Sequence, residues 1–224
     1  MRNASAPTPL GGDEAVGRFY AGSMTGFEDM GIRRVRTAQD WRVARALRFD
    51  GLAGRGDIPE ESPRAFADSF DDAPNTTTYL LLCADVAIGT TRTSVSVPPV
   101  REPLPSQRVF GREIDAAFGP AAVVVEASLT FVVPQAARDP QDALMRLFRV
   151  HLWRCAAENA DGLVVAVRES QMGFYRRRFN MEILSGPEAW PHMAAPRVLM
   201  GLAWRQHSAQ LLRRIPALAM GSDP

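Results

Sequence analysis

Residues 121–150 read Ala121-Ala-Val-Val-Val-Glu-Ala-Ser-Leu-Thr-Phe-Val-Val133, then Pro134-Gln-Ala-Ala-Arg-Asp-Pro140, then Gln141-Asp-Ala-Leu-Met-Arg-Leu-Phe-Arg-Val150. The β-branched residues of the first part predict a buried strand. The apolar positions Leu144, Leu147 and Phe148 of the third part follow the spacing of a helix. The segment therefore predicts a strand, a turn and a helix as one unit.

Glu126 is the one charged residue inside the predicted strand. A carboxylate in so apolar a run lies either in the core, at a high desolvation cost, or in a cleft where its pKa is useful. A buried ion pair with Arg92 is the structural alternative. The turn that follows opens a helix, and the free N–H groups of a helix start can bind an anion. The unit thus predicts a base beside a phosphate site.

The chain has 224 residues, 46% of them hydrophobic, and a net charge of +1. Such a composition is ordinary for a soluble globular protein, and so low a charge gives no general attraction to nucleic acid or membranes. We expect a leader or irregular segment over residues 1–30, a single domain over residues 31–216 and a tail over residues 217–224.

All 26 basic residues are arginines. Without lysine, the chain has neither a Schiff-base residue nor a Walker-type phosphate loop. Cys83 and Cys155 are too few for a disulfide framework or a zinc site, and they suit a reducing cytoplasm. The sequence shows neither a signal peptide nor an integral membrane segment, so we expect a cytoplasmic protein.

The remaining pattern predicts a mixed α/β (α+β) fold. Short strands joined as a hairpin come first, and later strands are connected through helices. The predicted strands are 32–36, 76–84, 86–97, 163–167, 181–184 and 197–204, and the predicted helices begin at Thr37, Ser106, Glu169 and Gln206. Residues 54–74 are rich in proline and acids, which favours a mobile loop or a lid.

Four short motifs follow one another along this pattern: Arg45-x-x-x-Phe49, Asp68-x-x-Asp71, Gly89-x-x-Arg92 and Glu126 in its strand. Their order and separations resemble the acyl-homoserine-lactone (autoinducer) synthases and the FeeM-type N-acyl amino acid synthases. Both groups belong to the GCN5-related N-acetyltransferase (GNAT) superfamily. The resemblance covers about residues 32–204 and implies a GNAT-like, splayed central sheet with helices on both faces.

The resemblance also implies an N-acyltransferase that moves a fatty acyl group from acyl carrier protein, or acyl-CoA, to the amine of an amino acid or similar small amine. Acyl-phosphopantetheine is then a co-substrate, with no tightly bound cofactor and no metal. Backbone N–H groups near Phe131 to Val133 would polarise the thioester carbonyl. The implied catalytic residues are Glu126 as base, Arg92, and Tyr175 as the acid that protonates the thiolate. The implied substrate-binding residues are Arg45, Phe49, Asp68, Asp71 and Phe131, and the phosphopantetheine-binding residues are Val133, Ala136, Ala137 and Arg138.

Several of these residues also have a plainer interpretation. Asp68 and Asp71 are also what a solvated acidic loop would contain. Arg45 and Arg92 are also consistent with surface positions. The Tyr175 ring could simply pack against the sheet. Leu144, Met145 and Leu163 are core candidates first, although such residues can also line an acyl tunnel.

Three differences between this sequence and the patterns of the related enzymes bear on the choice of substrates. The autoinducer synthases usually carry an arginine where this chain has Leu129 and a tryptophan where it has Arg55, which weakens an S-adenosylmethionine-dependent lactone synthesis. The glycine-rich phosphate loop of acetyl-CoA enzymes is replaced by Gln135-Ala-Ala-Arg-Asp-Pro140. We interpret this loss as a shift towards a carrier-bound phosphopantetheine, with backbone N–H groups of Ala136 and Ala137 and the charge of Arg138 meeting one phosphate.

The charge distribution favours an acidic partner. Residues 138–214 contain twelve arginines and seven acids, a local balance of +5. Acyl carrier proteins are strongly acidic, so this half suits their docking. Three alternatives stay open: an autoinducer synthase, an acetyl-CoA-dependent N-acetyltransferase and a non-catalytic acyl-binding module. Chain length, acceptor and oligomeric state are also left open.

Overall fold

The computed structural model describes residues 30–99 and 102–215. The predicted leader, apart from Met30, and the predicted tail lie outside the described residues. Seven strands form one sheet: β1 (Met30–Arg34), β2 (Thr76–Cys83), β3 (Val86–Ser96), β4 (Val124–Val132), β5 (Gly162–Val167), β6 (Glu182–Glu188) and β7 (Arg197–Ala203). The helices are α1 (Ala38–Ala53), α2 (Gln107–Phe118), α3 (Pro140–Ala157), α4 (Glu169–Phe179) and α5 (Trp204–Arg214), with a short 3-10 turn over Pro134–Ala136.

The strand order is β1-β2-β3-β4-β5-β7-β6, and β4 and β5 form the parallel pair of an otherwise antiparallel sheet. A parallel pair needs a crossover, and α3 supplies it between β4 and β5. Apolar side chains of α1 and α2 pack on one face of the sheet, and those of α3, α4 and α5 pack on the other. The mixed sheet with helices on both faces is confirmed.

Local sequence explains where α1 begins. The Thr37 hydroxyl accepts a hydrogen bond from the Asp40 N–H at 3.1 Å, and the Asp40 carboxylate accepts one from the Thr37 N–H at 3.0 Å. This reciprocal capping box satisfies two donors that a helix start leaves without partners. The predicted N-cap at Thr37 is confirmed, whereas β1 ends at Arg34, two residues earlier than the predicted Arg36.

The segment between α1 and β2 has neither helix nor strand, as its composition predicts. Its packing, however, differs from that of a mobile lid. The side chains of Asp57, Phe70 and Asp71 are buried, and the Asp57 carbonyl accepts a hydrogen bond from the Ala194 N–H at 2.8 Å. These contacts hold the segment in place, and it forms one wall of the candidate site.

No described helix is both long enough and apolar enough to span a bilayer.

Candidate active site

A cleft opens where β4 and β5 separate. The two strands pair only from Val124 to Ala127 on β4, and the rest of β4 has no partner on that side among the described strands. A bulge strengthens the separation, because Leu129 adopts a left-handed φ of 47° and the register with β3 shifts between Thr90 and Arg92. The cleft has a volume of about 130 Å³ and is lined by β4, β5, α4 and the loops before β2 and β7.

Glu126 lines this cleft and is fully buried. Its Oε2 atom accepts two hydrogen bonds from Ser106, one from the backbone N–H at 2.9 Å and one from the hydroxyl at 2.6 Å. Its Oε1 atom has no hydrogen-bond partner among the described residues. Burial raises the pKa of Glu126 to about 7, although the Ser106 bonds act in the opposite direction. The carboxyl can therefore exchange a proton near neutral pH.

Glu126 and Arg92 lie on the same face of the sheet. Ser94 is directly opposite Glu126 in the β3–β4 register, and Arg92 is opposite Ser128, so the two charged residues are diagonal neighbours. Both line the cleft. No ion pair joins them in the described part of the chain, and Arg92 instead donates to Ser128 Oγ at 3.1 Å and to Asp68. The alternative of a buried Glu126–Arg92 pair is wrong.

A buried network of charges continues from Arg92 towards α1. The Arg92 Nη1 atom is 2.5 Å from Asp68 Oδ1 and 3.4 Å from Asp71 Oδ1. Asp71 also binds Arg48, whose Nη1 atom is 2.6 Å from Asp71 Oδ1. Burial raises the pKa of Asp68, but the Arg92 charge and hydrogen bond outweigh it and hold that pKa below its ordinary value. Asp68 is therefore a carboxylate at neutral pH.

The two aspartates have different positions in this network. The Asp68 side chain is 30% exposed and lines the cleft, whereas the Asp71 side chain is 1% exposed and does not. Arg45 is farther out, with Nε 3.7 Å from Asp71 Oδ2. Asp68 can thus meet a substrate in the cleft, while Asp71 and Arg45 can act only through their neighbours.

Sequence reasoning missed Arg48 and Ser106. Arg48 is fully buried, donates to Thr78 Oγ1 at 2.8 Å, and has its pKa lowered by burial to about 10. Arg48 is one helical turn from Arg45. This spacing was the only feature of the sequence that could have pointed to Arg48 as a member of the charge network. Ser106 precedes α2 like an N-cap residue, yet its side chain makes no capping bond and binds Glu126 instead.

The opposite side of the cleft is aromatic. Tyr175 on α4 lines it, and burial raises the pKa of that phenol to about 12. The Phe131 ring lies under the Arg55 guanidinium at 4.8 Å. Arg55 and Phe131 also line a second cleft of about 450 Å³ between the end of α1 and the end of β4. Phe49 is buried and lines neither cleft, so the expectation that it contacts substrate lacks support in this geometry.

Two of the tunnel candidates are core residues. Leu163 is buried in the main hydrophobic core and Met145 packs against that core, and neither they nor Leu144 line the cleft. The apolar lining instead includes Leu52, Ala127, Val165 and Val167.

The start of α3 does not offer the free backbone donors that were expected to bind an anion. Pro140 has no N–H, the Gln141 and Asp142 N–H groups donate to Asp139 Oδ1 at 2.8 and 3.2 Å, and the Ala143 N–H donates to the Asp139 carbonyl. The helix start is thus capped by its own carboxylate, which also repels a phosphate.

Two backbone donors of the preceding turn are also occupied. The Ala136 N–H donates to the Val133 carbonyl at 3.1 Å, and the Val133 N–H donates to the Ile88 carbonyl at 2.9 Å. Val133 lines the second cleft rather than the first. Ala137 packs against the apolar cluster beneath α3, and Arg138 is exposed. The predicted phosphate contacts of Ala137 and Arg138 stay predictions.

Within residues 30–99 and 102–215, no group of three His, Cys, Asp or Glu side chains is placed to hold a metal ion.

The family model for the N-acyl amino acid synthase FeeM matches residues 44–203. The chain belongs to the FeeM family. Its members are acyltransferases that act on nitrogen, and so is this chain. No curated protein matches it.

Solved structures agree on the fold. FeeM, an N-acyl amino acid synthase from uncultured soil microbes, is 18% identical, with a TM-score of 0.69 over 83% of this chain and 96% of that one. The AHL synthase LasI is 12% identical, with a TM-score of 0.59 over 77% and 88% of the two chains. BjaI, a CoA-dependent acyl-homoserine lactone synthase solved with SAM and isopentyl-CoA, is 18% identical. Its TM-score is 0.55 over 83% of this chain and 85% of that one. The GNAT-like architecture is therefore confirmed.

Proposed function

We propose that this enzyme transfers a fatty acyl group from the phosphopantetheine thioester of acyl carrier protein to the amine of an amino acid or similar small amine. The observation that carries the proposal is Glu126, which lines the cleft with a pKa of about 7 and an unpartnered oxygen atom. Acylation needs a neutral amine, and a base whose pKa lies near the working pH is best suited to remove the ammonium proton.

The reaction uses both sides of the cleft. The Asp68 carboxylate attracts the ammonium group, and Glu126 takes one of its protons, through a water because Oε1 is buried. The amine nitrogen then attacks the thioester carbon, and the C–S bond breaks as the amide forms. The leaving thiolate takes a proton from Tyr175, whose raised pKa keeps the phenol protonated beforehand. Arg92 positions Asp68 and Ser128 for this sequence.

The surface beside α3 supports a carrier protein as donor. The start of α3 has no free backbone donor for the pyrophosphate of CoA. Next to it, the Arg178 guanidinium donates to Gln141 Oε1 at 3.1 Å, which brings the exposed Arg176–Arg178 run against this helix start. The Arg214 guanidinium donates to the Arg177 and Arg178 carbonyls and adds its charge to the same surface. An acidic carrier would meet these charges while its phosphopantetheine enters the cleft.

The acceptor follows from the family and from two residues of the cleft. Leu129 and Arg55 stand where the autoinducer synthases carry an arginine and a tryptophan, so S-adenosylmethionine is the weaker candidate. An amino acid is the acceptor that the family description names. We also place residues 31–216 in one acyltransferase domain, since all seven strands belong to one sheet.

Product profiling by mass spectrometry tests the proposal. The purified protein is incubated with decanoyl-acyl carrier protein, decanoyl-CoA or acetyl-CoA, and each donor is combined with a set of amino acids or with S-adenosylmethionine. We expect N-decanoyl amino acids, formed fastest from the carrier protein and lost in Glu126→Gln. A lactone product or an N-acetyl product would refute the proposal. Acyl donor held in native mass spectrometry without any product would identify a binding module instead.

A further inference from the structure

A chain of hydrogen bonds runs from the core into the cleft on the face opposite Glu126. The His151 Nε2 atom on α3 is 2.8 Å from Thr91 Oγ1 on β3, and Thr91 Oγ1 is 2.7 Å from Thr130 Oγ1 on β4. His151 and Thr91 are fully buried, whereas Thr130 is half-buried, follows the bulge at Leu129 and lines the cleft. None of the three has a part in the proton transfers described above.

The direction of this chain follows from the protonation state of His151. Burial lowers the pKa of His151 to about 3, so the imidazole is neutral and carries one N–H. The Nδ1 atom is buried without a partner among the described residues. A buried N–H without an acceptor is rarer, and costs more, than an acceptor without a donor. The hydrogen is therefore on Nε2, which donates to Thr91 Oγ1.

Each later bond must then run in the same direction. Thr91 Oγ1 receives the His151 hydrogen. The Thr91 hydroxyl is fully buried, and Thr130 Oγ1 is its one acceptor among the described residues, so it donates to Thr130 Oγ1. The Thr130 hydroxyl keeps its own hydrogen, which has no acceptor among the described residues and is available to a group in the cleft that Thr130 lines. A donor held in one direction before the reaction is the kind of group that stabilises a developing negative charge at low cost.

We propose that Thr130 donates its hydroxyl hydrogen to the carbonyl oxygen of the acyl thioester, with Thr91 and His151 as positioning residues. This rests on the proposed function, since it needs an acyl thioester in the cleft. As the amine nitrogen bonds to the carbonyl carbon, negative charge gathers on that oxygen and the Thr130 hydroxyl stabilises it. The charge returns to carbon when the C–S bond breaks, so Thr130 gives up no proton.

The histidine tautomer is the first test. In protein labelled with ¹⁵N-histidine, long-range proton–nitrogen spectra distinguish a protonated Nε2 from a protonated Nδ1. We expect the Nε2–H form at neutral pH. The Nδ1–H form would reverse every bond of the chain and leave only lone pairs of Thr130 facing the cleft, which would overturn the proposal without reference to activity.

The second test is Thr130→Val, which keeps the shape and removes the donor. We expect decanoyl transfer to slow on the order of 10²-fold. Binding of decanoyl-phosphopantetheine should weaken roughly threefold to tenfold, the range of one hydrogen bond. The thioether analogue, which has a methylene in place of the carbonyl, should bind the variant and the native protein equally well. Equal losses for both analogues would contradict a contact with the carbonyl oxygen.

Thr93→Val is the matched control. Thr93 is also a buried β3 threonine, but its hydroxyl has no partner among the described residues and it does not line the cleft. We expect no change in binding or rate. The native protein should bind the thioester more tightly than the thioether analogue. His151→Gln, which keeps a side-chain N–H, should retain part of this difference, and His151→Leu should lose it. If neither analogue binds the native protein, the proposed function itself fails, whereas binding of both with no effect of Thr130→Val refutes only this inference.

Discussion

Ser106 holds one carboxylate oxygen of Glu126 with two hydrogen bonds, at 2.9 Å from its N–H and 2.6 Å from its hydroxyl. The bonds fix the carboxyl rigidly and leave its other oxygen without a partner among the described residues. They also oppose the effect of burial on the pKa, which would otherwise rise further. Ser106 is thus a positioning residue that tunes the proposed base, and this relationship supports three predictions.

The first prediction concerns the base itself. Glu126→Gln keeps the size of the side chain and removes its ability to take a proton. We expect kcat/KM for amine acylation to fall by about 10² to 10⁴-fold, the usual contribution of a general base. Glu182→Gln, at an exposed position on β6, should leave the rate unchanged. Steady-state kinetics with several amines measures both, and normal turnover by Glu126→Gln would remove Glu126 from the mechanism.

The pH profile gives the second prediction. Protonated Glu126 cannot act as a base, so kcat/KM should decline as the pH falls through about 7. In Ser106→Ala the carboxylate loses a hydrogen bond that stabilises its charged form. Such a bond is worth about 1.5 kcal/mol, so the midpoint should move up by about one pH unit. A downward movement, or none, would show that another group controls the acid limb.

The third prediction links the same pKa to stability. Between the ordinary pKa of 4.5 and the folded value of about 7, the unfolded chain has lost the Glu126 proton and the native state has kept it. The native state is therefore destabilised as the pH rises through this range, by about 3 kcal/mol in total. Glu126→Gln carries no such penalty. Urea titrations should show the variant gaining stability over the native protein from pH 4 to pH 8, and a constant difference would mean that the pKa is not raised.

The parts of the fold that the sequence predicts correctly are those controlled by local chemistry. The β4–turn–α3 unit follows from β-branched residues and helical spacing, and the start of α1 follows from the pairing of Thr37 with Asp40. The presence of Glu126 and Arg92 in one cleft was also foreseen, but through family resemblance. The periodicity of apolar residues places Glu126 and Arg92 on strands, but it does not predict the β3–β4 register that makes these two residues neighbours.

Long-range packing explains the residues that were missed. Arg45 and Arg48 lie on one side of α1, and only the packing of the loop before β2 decides that Arg48 is the buried partner of Asp71. Ser106 and Glu126 are far apart in sequence, so their contact has no local signal. The expectation of free backbone donors at the start of α3 is different in kind. The Asp139-Pro140 pair is a typical N-cap and first helical residue, and it already indicated a helix start whose donors are occupied.

The fourth prediction separates the two aspartates of the charge network. Asp71→Asn leaves the buried Arg48 without its countercharge and should cost about 3 kcal/mol of stability or more. Asp68→Asn affects a carboxylate that is 30% exposed, and its buried partner Arg92 keeps Asp71 Oδ1 at 3.4 Å, so this variant should lose less stability than Asp71→Asn. Asp68→Asn should instead raise KM for the amine. Chemical denaturation and acylation kinetics on both variants check this, and a greater loss of stability in Asp68→Asn would contradict the assignment.

The fifth prediction tests the surface at the end of α4. Arg176→Glu combined with Arg177→Glu reverses two exposed charges beside the start of α3, outside the cleft. We expect kcat/KM with decanoyl-acyl carrier protein to fall roughly tenfold, because rim charges control the rate at which an acidic partner associates. Decanoyl-phosphopantetheine carries no acidic protein surface, so its turnover should be unchanged.

Arg42→Glu, an exposed reversal on α1, is the control for a general effect of charge, and we expect it to affect neither donor. The defect of the double variant should also shrink at high salt, because exposed charges are screened over about 3 Å at 1 M ionic strength. Equal losses with the carrier-bound and the free donor, or a defect that salt does not change, would place the carrier on another surface of the enzyme.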